Sequence, residues 1–206
     1  MLVIGLTGGS GAGKSLVAKH LLSRGGTLID CDAVYAELVD NPSACTSALS
    51  TAFGPDILNK NGTLNRAALS SIIFADGGKE QLALLNATVH PIVVSEVKRR
   101  LAKLYTEGAP YVIIDAPQLF EAKADELCDT TVFVKAENEL RQMRIMERDG
   151  ITREKAAARI NAQLTDDYFS ERCKHCIVNN GTEIELSEQC SLLLDKLGIK
   201  VNGEMK

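Results

Sequence analysis

Gly8-Gly9-Ser10-Gly11-Ala12-Gly13-Lys14-Ser15 decides how this chain folds. An apolar run, Leu2-Val3-Ile4, leads into it, and Leu16-Val17-Ala18-Lys19-His20-Leu21-Leu22 follows with the apolar spacing of a helix. Strand, glycine-rich turn, Gly-Lys-Ser and helix, in that order, form the P-loop setting for a bound phosphate. The glycines let backbone N–H groups converge on phosphate oxygens, and the helix N-terminus adds its positive end. On this reading Gly8, Gly9, Gly11, Ala12, Gly13 and Leu16 surround the phosphates of ATP. Lys14 reaches the β- and γ-phosphates, and the Ser15 hydroxyl ligates Mg²⁺. The competing reading is a glycine-rich turn ahead of an ordinary helix.

Outward from this stretch, apolar strands alternate with polar-faced helices, the pattern of a parallel α/β sheet. Strands are expected at Leu2-Val3-Ile4, Thr27-Leu28-Ile29, Tyr111-Val112-Ile113-Ile114, Thr131-Val132-Phe133-Val134 and Cys176-Ile177-Val178. Between the second and third, helical pieces are expected at Ser43–Phe53, Arg66–Phe74, Lys79–Val89 and Ile92–Leu104. Turn signals at Phe53-Gly54-Pro55, Asn61-Gly62 and Asp76-Gly77-Gly78 separate them, and Pro91 is read as a stop. The expected fold is a three-layer α/β P-loop core with a five-stranded parallel sheet, a helical insertion and a helical lid. The core takes residues 1–40, 109–136 and 166–206, the insertion 41–108, and the lid 137–165.

Composition narrows the function classes. Of 206 residues, 45% are hydrophobic, enough for a core, and with four Tyr, five Phe and no Trp that core is aliphatic. The net charge of −4 provides no basic field for nucleic acid. No apolar run reaches the roughly 18 residues of a membrane span, and the N-terminal residues do not read as an export signal. The six cysteines are therefore expected to be reduced thiols in the cytoplasm. Cys173-Lys174-His175-Cys176 invites a zinc or redox reading, but a second ligand pair at suitable spacing is missing. Asn-x-Thr triplets at Asn61, Asn86 and Asn180 are chance matches without secretion.

In parallel sheets ligands bind beyond the carboxyl ends of the strands. Every polar cluster here falls at such an end: the glycine loop, Asp30-Cys31-Asp32, Asp115, and Asn179-Asn180-Gly181. Asp32 has two readings. It is either the carboxylate that takes a proton from an acceptor hydroxyl, or the N-cap of the next helix. With an extended backbone, Asp30 and Asp32 would share a face. Asp115 is either the acidic group of the Mg²⁺ shell or a strand-end carboxylate before Pro117. Glu121 either supports that region or is solvated. Arg141, Arg144 and Arg148 lie on one helix face, as a row closing over phosphate or as an ion-paired surface. His90 is either a ligand contact or part of a helix stop.

Together these residues resemble the dephospho-coenzyme A kinase family. The resemblance runs from Gly5 through Ser15, over Ile29-Asp30-Cys31-Asp32, His90-Pro91 and Asp115 to Glu121, then Arg144, Arg148 to Glu154, Gln163 and Asn179-Asn180-Gly181. It implies transfer of the ATP γ-phosphoryl group to the ribose 3′-hydroxyl of dephospho-coenzyme A, with Mg²⁺ required. It further implies Asp32 as base, Lys14 on ATP phosphates, Arg144 and Arg148 as lid contacts, Asn180 and Gly181 near adenine, and His90, Asp32 and Asp115 at the acceptor. The implied partner is a small molecule, with neither nucleic acid nor membrane, and the oligomeric state stays open. Ser10, Leu16 and Gln118 depart from the usual Ile, Thr and Leu, and Gln118 places a polar group near the acceptor. The alternatives are a P-loop kinase for another nucleoside, nucleotide or small alcohol, and a nucleotide switch. A guanine switch needs Asn-Lys-x-Asp, and Asn59-Lys60-Asn61-Gly62 lacks the Asp.

Overall fold

A computed structural model describes residues 1–75 and 78–199. The five expected strands form as β1 (Leu2–Thr7), β2 (Thr27–Asp30), β3 (Tyr111–Asp115), β4 (Thr130–Lys135) and β5 (His175–Val178). They make one sheet in the order β2-β3-β1-β4-β5. β1 pairs in parallel with β3 and with β4, and β4 with β5. β1, β3 and β4 are almost entirely buried, which is why their sequences are apolar on both faces.

One face of the sheet packs Ile4, Leu6, Ile113, Val132, Val134 and Ile177 against α1 (Lys14–Ser23) and α9 (Glu183–Lys196). The buried Tyr111 hydroxyl donates to the Leu21 carbonyl at 2.6 Å, satisfying a polar group that burial would otherwise penalise. On the other face Phe133 stacks on Phe169 of α8 (Asp166–Arg172), ring centres 5.1 Å apart. A side chain at Gly5 would there meet Cys128 and Leu119, so β1 must be bare at that point. After β4 come α6 (Asn138–Asp149) and α7 (Arg153–Asn161), the latter capped by Thr152 as its sequence suggests.

The chain divides into two compact units, one of Met1–Ile29 with the residues from Leu104 onward, the other of Asp30–Lys103. The second contains α2 (Cys31–Val39), α3 (Ala44–Phe53), α4 (Arg66–Ile73) and most of α5 (Gly78–Thr106). Ser43 and Thr46 form a reciprocal capping box at the start of α3. The turn read at Asp76-Gly77-Gly78 falls on residues 76 and 77, outside those described, as does 200–206 of the expected core.

Two local expectations are corrected. Pro91 stops nothing: the two helices expected around it are one, α5. Val89, Val93, Val97 and Leu101 form a single buried stripe through the proline, and that continuous burial outweighs the lost hydrogen bond and ring clash. The cap of α2 is Asp30, whose carboxylate accepts the N–H groups of Asp32 at 2.9 Å and Ala33 at 3.1 Å. The backbone turns helical at Cys31, so the extended geometry that would align Asp30 with Asp32 does not occur.

Candidate active site

The site in the first unit is built around residues 8–15, between β1 and α1. Gly11 and Gly13 adopt φ of 77° and 90°, where a side chain is strained. Space forbids one as well: a Cβ on Gly11 would lie 2.6 Å from the Arg141 carbonyl oxygen, and one on Gly13 2.0 Å from Asn179 Nδ2. Gly13 is the N-cap of α1 and supplies no side-chain acceptor. The Leu16 N–H reaches back to the Gly13 carbonyl at 3.0 Å, while the N–H groups of Lys14 and Ser15 have neither an intrahelical nor a side-chain capping partner among the described residues, the arrangement that receives an anion.

A loop that turns its N–H groups inward turns its carbonyls outward, and those need donors. Three side chains supply them. Arg141 Nε donates to the Ser10 carbonyl at 3.0 Å, Arg144 Nη1 to Gly11 at 3.3 Å, and Asn179 Nδ2 to Ala12 at 2.9 Å. Arg144 Nη2 also donates to the Asn179 carbonyl at 3.0 Å, which ties α6, the end of β5 and the loop together. Gln163 Oε1 accepts from the Ser10 N–H and from Arg141 Nη2, both at 2.9 Å. Arg141 is therefore neither a solvated surface charge nor an open phosphate ligand. It is 5% exposed, and burial pulls its pKa below the ordinary value while Asp166, 3.6 Å away, opposes the shift. Arg148 is more exposed, paired with Asp149, with Nη2 3.5 Å from Ser10 Oγ.

Lys14 Nζ forms an ion pair with Asp115 Oδ1, both groups being largely buried. The pairing follows from register, since Asp115 ends β3 directly beside Leu6 of β1. The Ala116 N–H donates to the Leu6 carbonyl at 3.1 Å and so fixes the segment beyond the strand. Gly8, Gly9, Pro117, Gln118, Glu121 and Gln163 line a cleft of about 350 Å³ beside the loop. Ser15 is exposed on the first turn of α1. Asn180 is held by Glu137, accepting its N–H at 2.8 Å and donating to its carboxylate at 3.1 Å; Gly181 lies against Glu185. A second cavity, about 500 Å³, opens along Val178 to Thr182 and α9.

Asp32 and His90 belong to the other unit, Asp32 on the exposed first turn of α2 and His90 within α5. With Asp30 as the cap, the capping reading of Asp32 is withdrawn. Sequence reasoning missed the roles of Arg141, Gln163 and Asn179. The available signal was the loop's own demand for donors on its outer side. Among the described residues no cluster of three or more His, Cys, Asp or Glu is arranged to hold a metal. Burial raises the Cys176 pKa and pushes that of Cys173 up to about 11. No helix of the described residues is long and apolar enough to cross a membrane.

Known proteins match almost the whole chain. The dephospho-CoA kinase family model matches residues 2–185. A dephospho-CoA kinase of Corynebacterium glutamicum is 38% identical over 202 residues, covering 98% of this chain and 100% of that protein. A crystal structure from Thermus thermophilus superposes with a TM-score of 0.77 at 33% identity, covering 95% of this chain and 97% of the other. Dephospho-CoA kinase from Campylobacter jejuni shares the fold, with a TM-score of 0.61 at 21% identity over 95% of this chain and 96% of its own. A family model that matches residues 2–185 and relatives matched over nearly their whole length lead to one assignment: the chain belongs to the dephospho-CoA kinase family.

Proposed function

We propose that the protein transfers the γ-phosphoryl group of ATP to the ribose 3′-hydroxyl of dephospho-coenzyme A, giving coenzyme A and ADP. The observation that carries this reading is the Lys14–Asp115 pair at the mouth of the glycine loop, at the carboxyl ends of adjacent parallel strands. Asp115 holds the ammonium where the β- and γ-phosphates of a loop-bound nucleotide sit, and the loop N–H groups take the remaining phosphate oxygens. The acceptor alcohol loses its proton to Asp32, while its oxygen forms the new bond to phosphorus and the bond to the ADP oxygen breaks. Support for Asp32 comes from Asp30, which takes over the capping bonds.

Mg²⁺ suits this donor set. It prefers oxygen ligands, keeps several waters, and needs one or two protein groups beside the phosphates. Ser15 and Asp115 would hold it, and the ion would neutralise phosphate charge. Arg144 and Arg148 are assigned to the phosphates, Asn180 and Gly181 to the adenine end, and His90 with the 41–108 helices to the acceptor. Residues 137–165 act as the lid. The reaction is placed in the cytoplasm, where six cysteines without a disulfide are at home. Labelled ATP offered with dephospho-coenzyme A, adenylate, nucleosides and small alcohols tests the reading. Label moving chiefly to dephospho-coenzyme A supports it, and preference for adenylate or a nucleoside defeats it.

A further inference from the structure

We propose that Gln163 is a positioning residue for ATP, acting through Arg141 and the Ser10 peptide; the proposal rests on the kinase reading above. The Ser10 peptide groups are gripped on both sides. Its N–H donates to Gln163 Oε1 at 2.9 Å, and its carbonyl accepts from Arg141 Nε at 3.0 Å. The two clamps are bonded to each other, Arg141 Nη2 donating to the same Gln163 oxygen at 2.9 Å. The three groups close a ring around the second turn of the glycine loop. Gly9 sits under it, and a Cβ there would lie 2.2 Å from Arg141 Nη2 and 3.0 Å from Gln163 Oε1, so the clamp itself requires the glycine.

The ring matters because a loop peptide that rotates carries its neighbours' N–H groups with it. Holding Ser10 by both ends fixes the aim of the N–H groups on either side, the ones a phosphate uses. The Gln163 backbone is set by the end of α7, its N–H donating to Ile160 at 3.1 Å. The conformation of α6 and α7 is thereby written into the loop's shape. One acceptor oxygen serves two donors, so its loss unmakes both bonds and leaves Nη2 of an almost fully buried guanidinium without its acceptor. Mere cohesion between α7 and the loop would predict lost stability with ATP affinity unchanged.

The test titrates ATP into the full-length wild-type protein, Gln163→Leu, Arg141→Met and the double variant, and measures thermal unfolding and the KM for dephospho-coenzyme A for each. Gln163→Leu is expected to weaken ATP about tenfold, the scale of one or two buried hydrogen bonds, and to leave the dephospho-coenzyme A KM within about twofold. Arg141→Met should lose a similar amount, and the double variant little more than either single, because all three break one ring. Gln163→Asn, which stays polar but withdraws the oxygen by one methylene, carries the same expectation if Gln163→Leu does not fold. Wild-type ATP affinity in the Gln163 variants, or losses that multiply in the double variant, would overturn the inference. A wild-type chain that binds no ATP would overturn the kinase reading beneath it.

Discussion

The Asp30 carboxylate accepts the backbone N–H of Asp32 at 2.9 Å, so two acids that look alike in sequence take different work. Asp30 satisfies the start of α2, and Asp32 carries its own carboxylate on the first turn beyond it. The two substitutions should therefore separate. Asp30→Ala is expected to cost about 1 kcal/mol of stability as a lost cap, read in chemical denaturation. Asp32→Asn should leave stability within about 0.5 kcal/mol, as surface substitutions do. It should lower kcat by about a hundredfold or more, the scale of losing a general base. Near-normal turnover in Asp32→Asn would remove Asp32 from the mechanism.

Lys14 and Asp115 form a largely buried ion pair, and breaking such a pair costs more than deleting it. Asp115→Asn strands the ammonium and should destabilise the protein by about 3 kcal/mol. Lys14→Met combined with Asp115→Asn should cost less than Asp115→Asn alone, and a denaturation cycle over the four proteins measures the difference. Both singles should lose phosphoryl transfer. Simple additivity of the two stability losses would contradict the pairing.

Glu96 of α5 receives both Arg99, Nε at 2.7 Å, and Arg100, Nε at 2.8 Å, and Arg100 continues to Glu37 on α2. Hydrogen bonds from Arg99 first, then Arg100, hold the Glu96 carboxyl at about 2, below its ordinary 4.5. A folded-state value below the unfolded one stabilises above pH 4.5 and loses that contribution as pH falls toward 2. The stability gap between wild type and Glu96→Gln should be constant above about pH 5.5 and shrink on acidification through that window. A gap independent of pH would show that the carboxylate charge is not what stabilises the network.

How much of this was legible in the sequence depended on whether the cause was local. Strands such as Tyr111-Val112-Ile113-Ile114 announced themselves, because burial on both faces demands apolar residues at every position. The glycine loop was equally plain, since its spacing is the geometry. Pro91 misled because a local stop signal lost to a stripe of four buried residues that no short window weighs. The role of Gln163 was out of reach, for its partners lie 22 and 153 positions away and nothing nearby marks them. Arg141 fitted a charged surface helix until its burial was known. Asp30 and Asp32 were indistinguishable as acids, and where the backbone turned decided between them.

Pro91 yields a further test. It is exposed in mid-helix and contributes nothing to the buried stripe, so Pro91→Ala removes a defect without opening a cavity. Stability should rise by about 1–3 kcal/mol, seen as a higher melting temperature, with the helical signal in circular dichroism unchanged or larger. A fall in stability would mean that the proline's own contacts support α5.

The most direct measurement follows the phosphorus atom itself. With equal ATP and dephospho-coenzyme A and Mg²⁺ present, phosphorus NMR and mass spectrometry should record one ADP formed per coenzyme A, with the new monoester on the ribose 3′-oxygen. ADP appearing with inorganic phosphate and no phosphorylated acceptor, or a phosphate on any other oxygen, would contradict the account.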